Sequence, residues 1–148
     1  MDRNEYIALC DSKVKLVRVE HGLSQEKMAI VLGISKKTLV EIEKQRRSLG
    51  WAGAVVLCTI FAESEVLAGV FGGNSVDIIL ALAFAGQPLK QPQRRLRRRW
   101  WSDILRNDRF VIQQNILSQH YRLLDTDGQR VMSSFDIDDM LPLYNGSE

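Results

Sequence analysis

The sequence predicts a mainly α-helical protein, with a helical N-terminal domain at residues 1–73 and a small α+β module containing a β-hairpin at residues 74–148. Apolar residues in the first half recur at steps of three and four, the period of an amphipathic helix. Glycine and serine interrupt this pattern where helices are expected to end and begin. After residue 109 the pattern becomes that of short strands, and an Asp-Gly pair separates two of them.

The first helix is predicted from one apolar stripe, formed by Ile7, Cys10, Val14 and Val17. Gly22 stands where this helix is expected to end, because glycine adopts the left-handed backbone conformation at low cost.

The second helix is short. Ser24 is its predicted N-cap, since a serine hydroxyl accepts a hydrogen bond from a free backbone N–H. Met28, Ala29 and Leu32 form its buried side, and Gly33 lies in the turn that follows.

The third helix is capped by Ser35 and carries two apolar residues, Leu39 and Ile42, on one side. At 100° per residue, the opposite side presents Lys36, Lys37, Val40, Glu41 and Lys44. A helix with so narrow an apolar side and a basic, polar face suits insertion into the major groove of DNA. The same pattern also fits a solvated surface helix of any small bundle.

The order of these residues resembles the DNA-binding helix-turn-helix of the Cro/repressor (XRE) family of transcriptional regulators. The resemblance covers roughly residues 4–71. It is carried by Gly22-Leu23-Ser24-Gln25, Met28-Ala29, Leu32-Gly33-Ile34-Ser35, Leu39 and Ile42-Glu43. It implies a five-helix, lambda-repressor-like domain, with residues 51–61 as the fourth helix and residues 64–71 as the fifth.

The resemblance also implies which residues contact DNA. Three of them match base-reading positions of the third helix, accompanied by its capping serine and two flanking residues. Two arginines match basic residues that approach phosphates, and a glutamine matches one that lies near phosphates and bases. The base-reading residues are Lys36, Lys37 and Glu41. The capping serine is Ser35, and the flanking residues are Thr38 and Lys44. The two arginines are Arg18 and Arg46, and the glutamine is Gln25.

Two positions depart from the family pattern. Lys27 stands where an acidic residue is common, so the second helix lacks a capping box. Lys44-Gln45 replaces the usual Asn-Gly after the third helix, which leaves the path of that loop open.

The fourth predicted helix has no charged residue from Trp51 through Ala62, so it needs cover on more than one side. Either the C-terminal half packs over it or a second copy of the chain does. Asn74-Ser75 then caps a further apolar helix over residues 76–85. The following segment, residues 87–92, contains two prolines and is the predicted internal linker.

Five arginines follow the linker, at positions 94, 95, 97, 98 and 99, and run into Trp100-Trp101. Arginines beside aromatic residues can bind a phosphate backbone. We favour the alternative, a solvated helix face with both tryptophans buried beneath it.

The remaining chain is predicted to be β-rich. One strand is expected over residues 110–117, and two more, 120–124 and 130–135, flank the turn Asp125-Thr126-Asp127-Gly128. A short helical turn is expected at residues 140–144.

The net charge does not by itself indicate or exclude a class of partner, because 20 Lys and Arg against 18 Asp and Glu leave only +2. Cys10 and Cys58 occupy apolar helical positions and are expected to be free buried thiols in a reducing cytoplasm, with a redox sensor as the alternative. His21 and His120 lack metal-ligand spacing, so no metal or other cofactor is expected.

The two longest apolar runs, residues 51–62 and 76–86, are shorter than the ~20 residues that span a bilayer. The N-terminus is charged and lacks the apolar region of a signal peptide. We therefore expect a soluble cytoplasmic protein with no membrane partner.

The function expected from the sequence is sequence-specific transcriptional regulation, as a repressor that binds double-stranded DNA as a homodimer on an inverted repeat. The alternative is an antitoxin-type or partner-binding protein that autoregulates through the same helix-turn-helix. An effector or protein partner of the C-terminal half is left open. Enzymatic activity is not expected: Lys90, the only lysine after Lys44, leaves no place for the Ser/Lys dyad of self-cleaving repressors. A G-x-S-x-G motif and a Gly-rich phosphate loop are also absent.

Overall fold

The computed structural model describes residues 1–88 and 100–146, which belong to two compact units, Met1–Gln91 and Pro92–Glu148. The described part of the first unit is helical, and that of the second is built on a four-stranded antiparallel sheet. The predicted succession of a helical region and a β-containing module is confirmed in this coarse form.

The described part of the first unit contains six helices. They are α1 (Arg3–Glu20), α2 (Gln25–Leu32), α3 (Lys36–Glu43), α4 (Gly50–Ile60), α5 (Glu65–Phe71) and α6 (Ser75–Phe84). Five helices were expected before residue 73, and the sixth was expected in the second module. In the structure α6 belongs to the first unit, because Ile79 is buried in the core of that unit and Ile78 and Leu82 pack against it.

The helix boundaries follow from capping side chains. Ser24 accepts a hydrogen bond from the Lys27 N–H at 3.2 Å, and Ser35 accepts one from the Thr38 N–H at 3.0 Å. Between α2 and α3, Gly33 takes the left-handed conformation with φ of 69°. Each such bond satisfies a backbone donor that the helix leaves free, so these residues determine where α2 and α3 begin.

The core of the first unit forms around α1. Tyr6, Cys10, Val14 and Val17 are fully buried, whereas Ile7, which we had placed in this stripe, is only half-buried. The α1 helix contacts α3, α4 and α5, so it is the central element of the unit.

The uncharged helix α4 finds its cover within its own unit, since α1 and α6 both pack on it. Ala54, Leu57 and Cys58 are its buried residues. Arg3 connects α1 to α4 and α6. Its guanidinium lies 4.6 Å from the ring centroid of Trp51 on α4, and it donates hydrogen bonds to the carbonyl oxygens of Leu82 and Ala83 at the end of α6. Of the two covers that we expected, the one from residues beyond 73 is present in part, since α6 packs on α4, and α1 packs on it as well.

The second unit contains strands β1 (Trp101–Arg106), β2 (Val111–Asn115), β3 (Tyr121–Leu124) and β4 (Arg130–Ser134), in the order β1-β2-β3-β4. A 3₁₀ turn (Ile137–Asp139) and a short helix, α7 (Leu141–Asn145), follow. The predicted hairpin is confirmed, with Leu124 paired to Arg130 across the turn, and the helical turn near residue 140 is present.

The sheet differs from the sequence prediction in one additional strand and in the end of another. We did not predict β1. Trp101 is its only partly buried residue, and the strand lacks the alternation of apolar and polar residues that marks a half-buried strand. Ile116 and Leu117 do not continue β2, because Asn115 turns the chain by accepting hydrogen bonds from the N–H groups of Leu117 and Ser118. Within residues 100–146, the buried core residues are Ile112, Leu123 and Met140.

The tryptophans at the start of the sheet are also less buried than expected. Trp100 is 41% exposed, and Trp101 is half-buried with the Arg122 guanidinium 3.8 Å from its ring centroid. The five arginines at positions 94–99 lie outside the described residues.

Candidate nucleic-acid interface

The side chains of α3 divide into a buried and an outward-facing set. Leu39 and Ile42 are 0% and 1% exposed and fasten the helix to the core. Ser35, Lys36 and Lys37 are exposed at its N-terminal end, where the Ser35 hydroxyl also donates to Thr38 Oγ1 at 2.9 Å. Thr38 and Glu41 are half-buried. The two lysines therefore reach solvent from the first turn of a helix whose other side is anchored.

Lys36 forms an ion pair with Glu26 on α2. Both side chains are more than half exposed, so water screens the pair and it contributes little to stability. The hydrogen bond from the Lys36 ammonium lowers the pKa of the Glu26 carboxyl below its ordinary value. Lys36 is thus paired with α2 while it stays more than half exposed, and Lys37 is exposed beside it.

Glu43 connects three elements behind this face. Its Oε1 lies 2.6 Å from Arg18 Nε, and its Oε2 accepts from Arg18 Nη2 at 3.2 Å and from Gln25 Nε2 at 2.9 Å. Arg18 Nη1 donates in turn to the Leu23 carbonyl at 3.0 Å. The Glu43 side chain is 5% exposed and that of Arg18 14%, so α1, α2 and α3 are joined by a largely dehydrated, bidentate ion pair.

Burial acts to raise the pKa of Glu43, but hydrogen bonds from Arg18 and Gln25 outweigh it and hold the pKa below its ordinary value. The bond to Glu43 raises the pKa of Arg18. Both Arg18 and Gln25, which we had expected at DNA, therefore position α2 and α3 through Glu43. The role of Glu43 was not predicted from the sequence. The available signal was an acidic residue directly after the buried Ile42.

The segment after α3 carries further exposed basic residues. Lys44 is the C-cap, and Arg46 and the unpredicted Arg47 are exposed. Gln45 adopts the left-handed conformation with φ of 57°, and the Arg46 N–H donates to the Glu41 carbonyl at 2.9 Å. Gln45 thus takes a conformation that glycine adopts at lower cost.

Replacing Gln45 by glycine should therefore stabilise the first unit by about 0.5–1 kcal/mol, because it removes backbone strain that exceeds the extra entropy of glycine in the unfolded chain. Denaturant unfolding of the two chains measures the difference. Arg47→Gly is a matched control at an exposed position outside the left-handed region, and it should destabilise by a similar amount. A Gln45→Gly variant less stable than the parent would contradict this explanation.

The predicted residues thus form two groups. Ser35, Lys36, Lys37, Thr38, Glu41, Lys44 and Arg46 lie along α3 and at its ends, whereas Arg18 and Gln25 lie behind it at Glu43. Comparisons of the chain with protein-family models, curated proteins and solved structures found no match.

Within residues 1–88 and 100–146, no group of three or more His, Cys, Asp or Glu side chains could hold a metal ion. No single helix in these ranges is long and apolar enough to cross a membrane. Among the helices of the described residues, Gly50–Ile60 and Glu65–Phe71, bent by 119°, pass that test as a pair.

Proposed function

We propose that the first unit is a lambda-repressor-like helix-turn-helix domain and that the protein regulates transcription by binding a specific DNA sequence through α3. The main support is α3 itself, which is anchored by Leu39 and Ile42 and directs Lys36 and Lys37 outward. A side chain in a major groove has to be outward-facing and carried on a rigid element. The Arg18–Glu43–Gln25 network provides that rigidity, because it ties α3 to two other helices.

The mechanism follows from the chemistry of these side chains. Lys36 or Lys37 donates to the acceptor atoms of guanine, and Glu41 accepts from the amino group of cytosine. For Lys36 to do so, its ion pair with Glu26 has to open, which costs little because both groups are exposed. Lys44 and Arg46 supply contacts to phosphates, and occupancy of a promoter would repress transcription.

The experiment that tests this proposal is the selection of bound fragments from random or genomic DNA by the full chain. We expect one enriched motif whose two halves lie about one helical turn apart, so that two copies of α3 enter successive major grooves. Failure to enrich any motif at low salt would contradict sequence-specific binding.

The proposal includes a homodimer, because two copies of α3 are needed to enter two successive major grooves. The second unit also exposes large apolar side chains, namely Trp100, Ile104, Leu105, Ile116, Leu117, Val131, Phe135 and Leu143, with Phe135 79% exposed. Sedimentation at tens of micromolar should give twice the chain mass of 16.9 kDa, and the selected motif should be nearly palindromic. A monomer on an asymmetric site would refute the dimer.

The phosphate contacts give a separate prediction. Replacing Lys44 and Arg46 by glutamine should weaken binding to all sequences alike and make the slope of log affinity against log salt shallower by about 0.9 per contact. Fluorescence anisotropy over a salt series measures this slope. Arg130→Gln, an exposed arginine of the second unit, is the control and should leave the slope unchanged. An unaltered slope in the double variant would remove both residues from the interface.

A further inference from the structure

The core of the first unit contains a pair of thiols that the proposed function does not use. Cys10 on α1 and Cys58 on α4 are both 0% exposed, and their Sγ atoms are 3.6 Å apart. Residues separated by 48 positions in sequence are thus brought into direct side-chain contact. A disulfide bond has a length of about 2.05 Å, so the sulfur atoms need to approach by only roughly 1.5 Å.

The surroundings of the pair differ for the two sulfur atoms. Hydrogen bonding from Cys10 lowers the pKa of the Cys58 thiol, against the effect of burial, and the same contact raises the pKa of Cys10. The Tyr6 hydroxyl adjoins both thiols but makes no hydrogen bond of ordinary geometry to a described residue. It is therefore a buried donor available to a thiolate on either cysteine, and the lowered pKa of Cys58 favours ionisation at that sulfur atom.

We propose that Cys10 and Cys58 are a redox-active pair, in which a peroxide oxidises Cys58 and Cys10 then closes an intramolecular disulfide between α1 and α4. The Cys58 thiolate attacks one peroxide oxygen, so that an S–O bond forms, the O–O bond breaks and the departing hydroxide takes up a proton as water. The Cys10 sulfur next attacks the Cys58 sulfenic acid. The S–S bond forms, the S–O bond breaks, and the leaving hydroxide takes the Cys10 proton as a second water.

The disulfide would enclose α2 and α3 in one covalent loop running from residue 10 to residue 58. Because both thiols are buried, peroxide reaches Cys58 only when the structure opens locally, so oxidation is slow. The same burial favours a disulfide within one chain over a disulfide between two chains. This proposal concerns the first unit alone and does not rest on DNA binding.

The test uses the reduced full chain, incubated overnight with hydrogen peroxide and then unfolded in guanidinium with iodoacetamide. We expect a chain about 2 Da lighter than the reduced one, with neither cysteine alkylated and a single cross-linked peptide pair on digestion without reductant. Two alkylated cysteines would overturn the proposal, and so would disulfides that link two chains.

The order of the two steps is tested by single variants in the presence of dimedone, which traps sulfenic acids. In Cys10→Ser the adduct should accumulate on Cys58, and in Cys58→Ser the adduct on Cys10 should form at least about tenfold more slowly. Equal or faster labelling of Cys10 would overturn the assignment of Cys58 as the attacking sulfur. The measurement on the unaltered chain stands even if a variant folds poorly.

Discussion

A variant in which Lys36, Lys37 and Glu41 are all replaced by alanine is expected to lose sequence-specific DNA binding and to keep its fold. Each good base contact is worth about 1–3 kcal/mol, so losing three lowers the affinity for the selected site by at least about a hundredfold. The fold should persist because these side chains do not supply the anchoring contacts, which come from Leu39 and Ile42. Anisotropy on the selected and a scrambled duplex, together with thermal unfolding, measures both effects.

The control is a triple variant of the same charge composition in the second unit, Arg106→Ala with Arg130→Ala and Asp127→Ala, all exposed. It should bind the selected site like the parent chain. If the α3 variant still protects the selected site in a footprint, α3 is not the recognition helix.

The second large effect is expected at Glu43. Replacing Glu43 by glutamine leaves the guanidinium of Arg18 largely buried without a counter-charge, and it weakens the bond from Gln25. Removing one partner of a buried pair costs 3–5 kcal/mol, and we expect about 3 kcal/mol because Arg18 keeps some exposure. Chemical denaturation of both chains measures the loss.

Two controls separate this effect from a general sensitivity of α3. Glu41→Gln, on the same helix, should change stability by no more than about 0.5 kcal/mol. The double variant Arg18→Met with Glu43→Leu should be more stable than Glu43→Gln, since it removes both charges together. A Glu43→Gln chain as stable as the parent would show that the ion pair does not hold the helices in place.

The lowered pKa of Glu43 also sets the direction in which the stability of the first unit changes with pH. The pKa of Glu43 in the folded chain lies below its ordinary value of 4.5, so the unfolded chain binds this proton more readily. The contribution of the Glu43 carboxylate to stability is therefore complete above about pH 5, and it is lost as the pH falls through the lowered pKa of the folded state. The stability of Glu43→Gln should fall less steeply below pH 4.5 than that of the parent.

Local patterns were sufficient to predict α1, α2 and α3, because caps such as Ser24 and Ser35 act within three residues of their own position. The hairpin was predictable for the same reason, since Asp-Gly favours a tight turn. The strand β1 was not, because it is defined by pairing with β2 and its own side chains are mostly exposed.

The site was predictable to a similar degree. The exposed lysines of α3 follow from periodicity, but the internal engagement of Arg18 depends on Glu43, which lies 25 residues away. The contact between Cys10 and Cys58 depends on how α1 and α4 pack, and no spacing in the sequence encodes it. Interactions between distant residues required the structure.

The strand order β1-β2-β3-β4 has a consequence for how fast the sheet assembles. Every strand pairs with its neighbour in sequence, so each pairing closes only a short loop, and the entropy lost in closing a loop increases with its length. Topologies dominated by such local pairings have low contact order and fold rapidly for sheet proteins. This sheet can therefore form strand by strand as the chain emerges during synthesis, with no strand waiting for a distant partner.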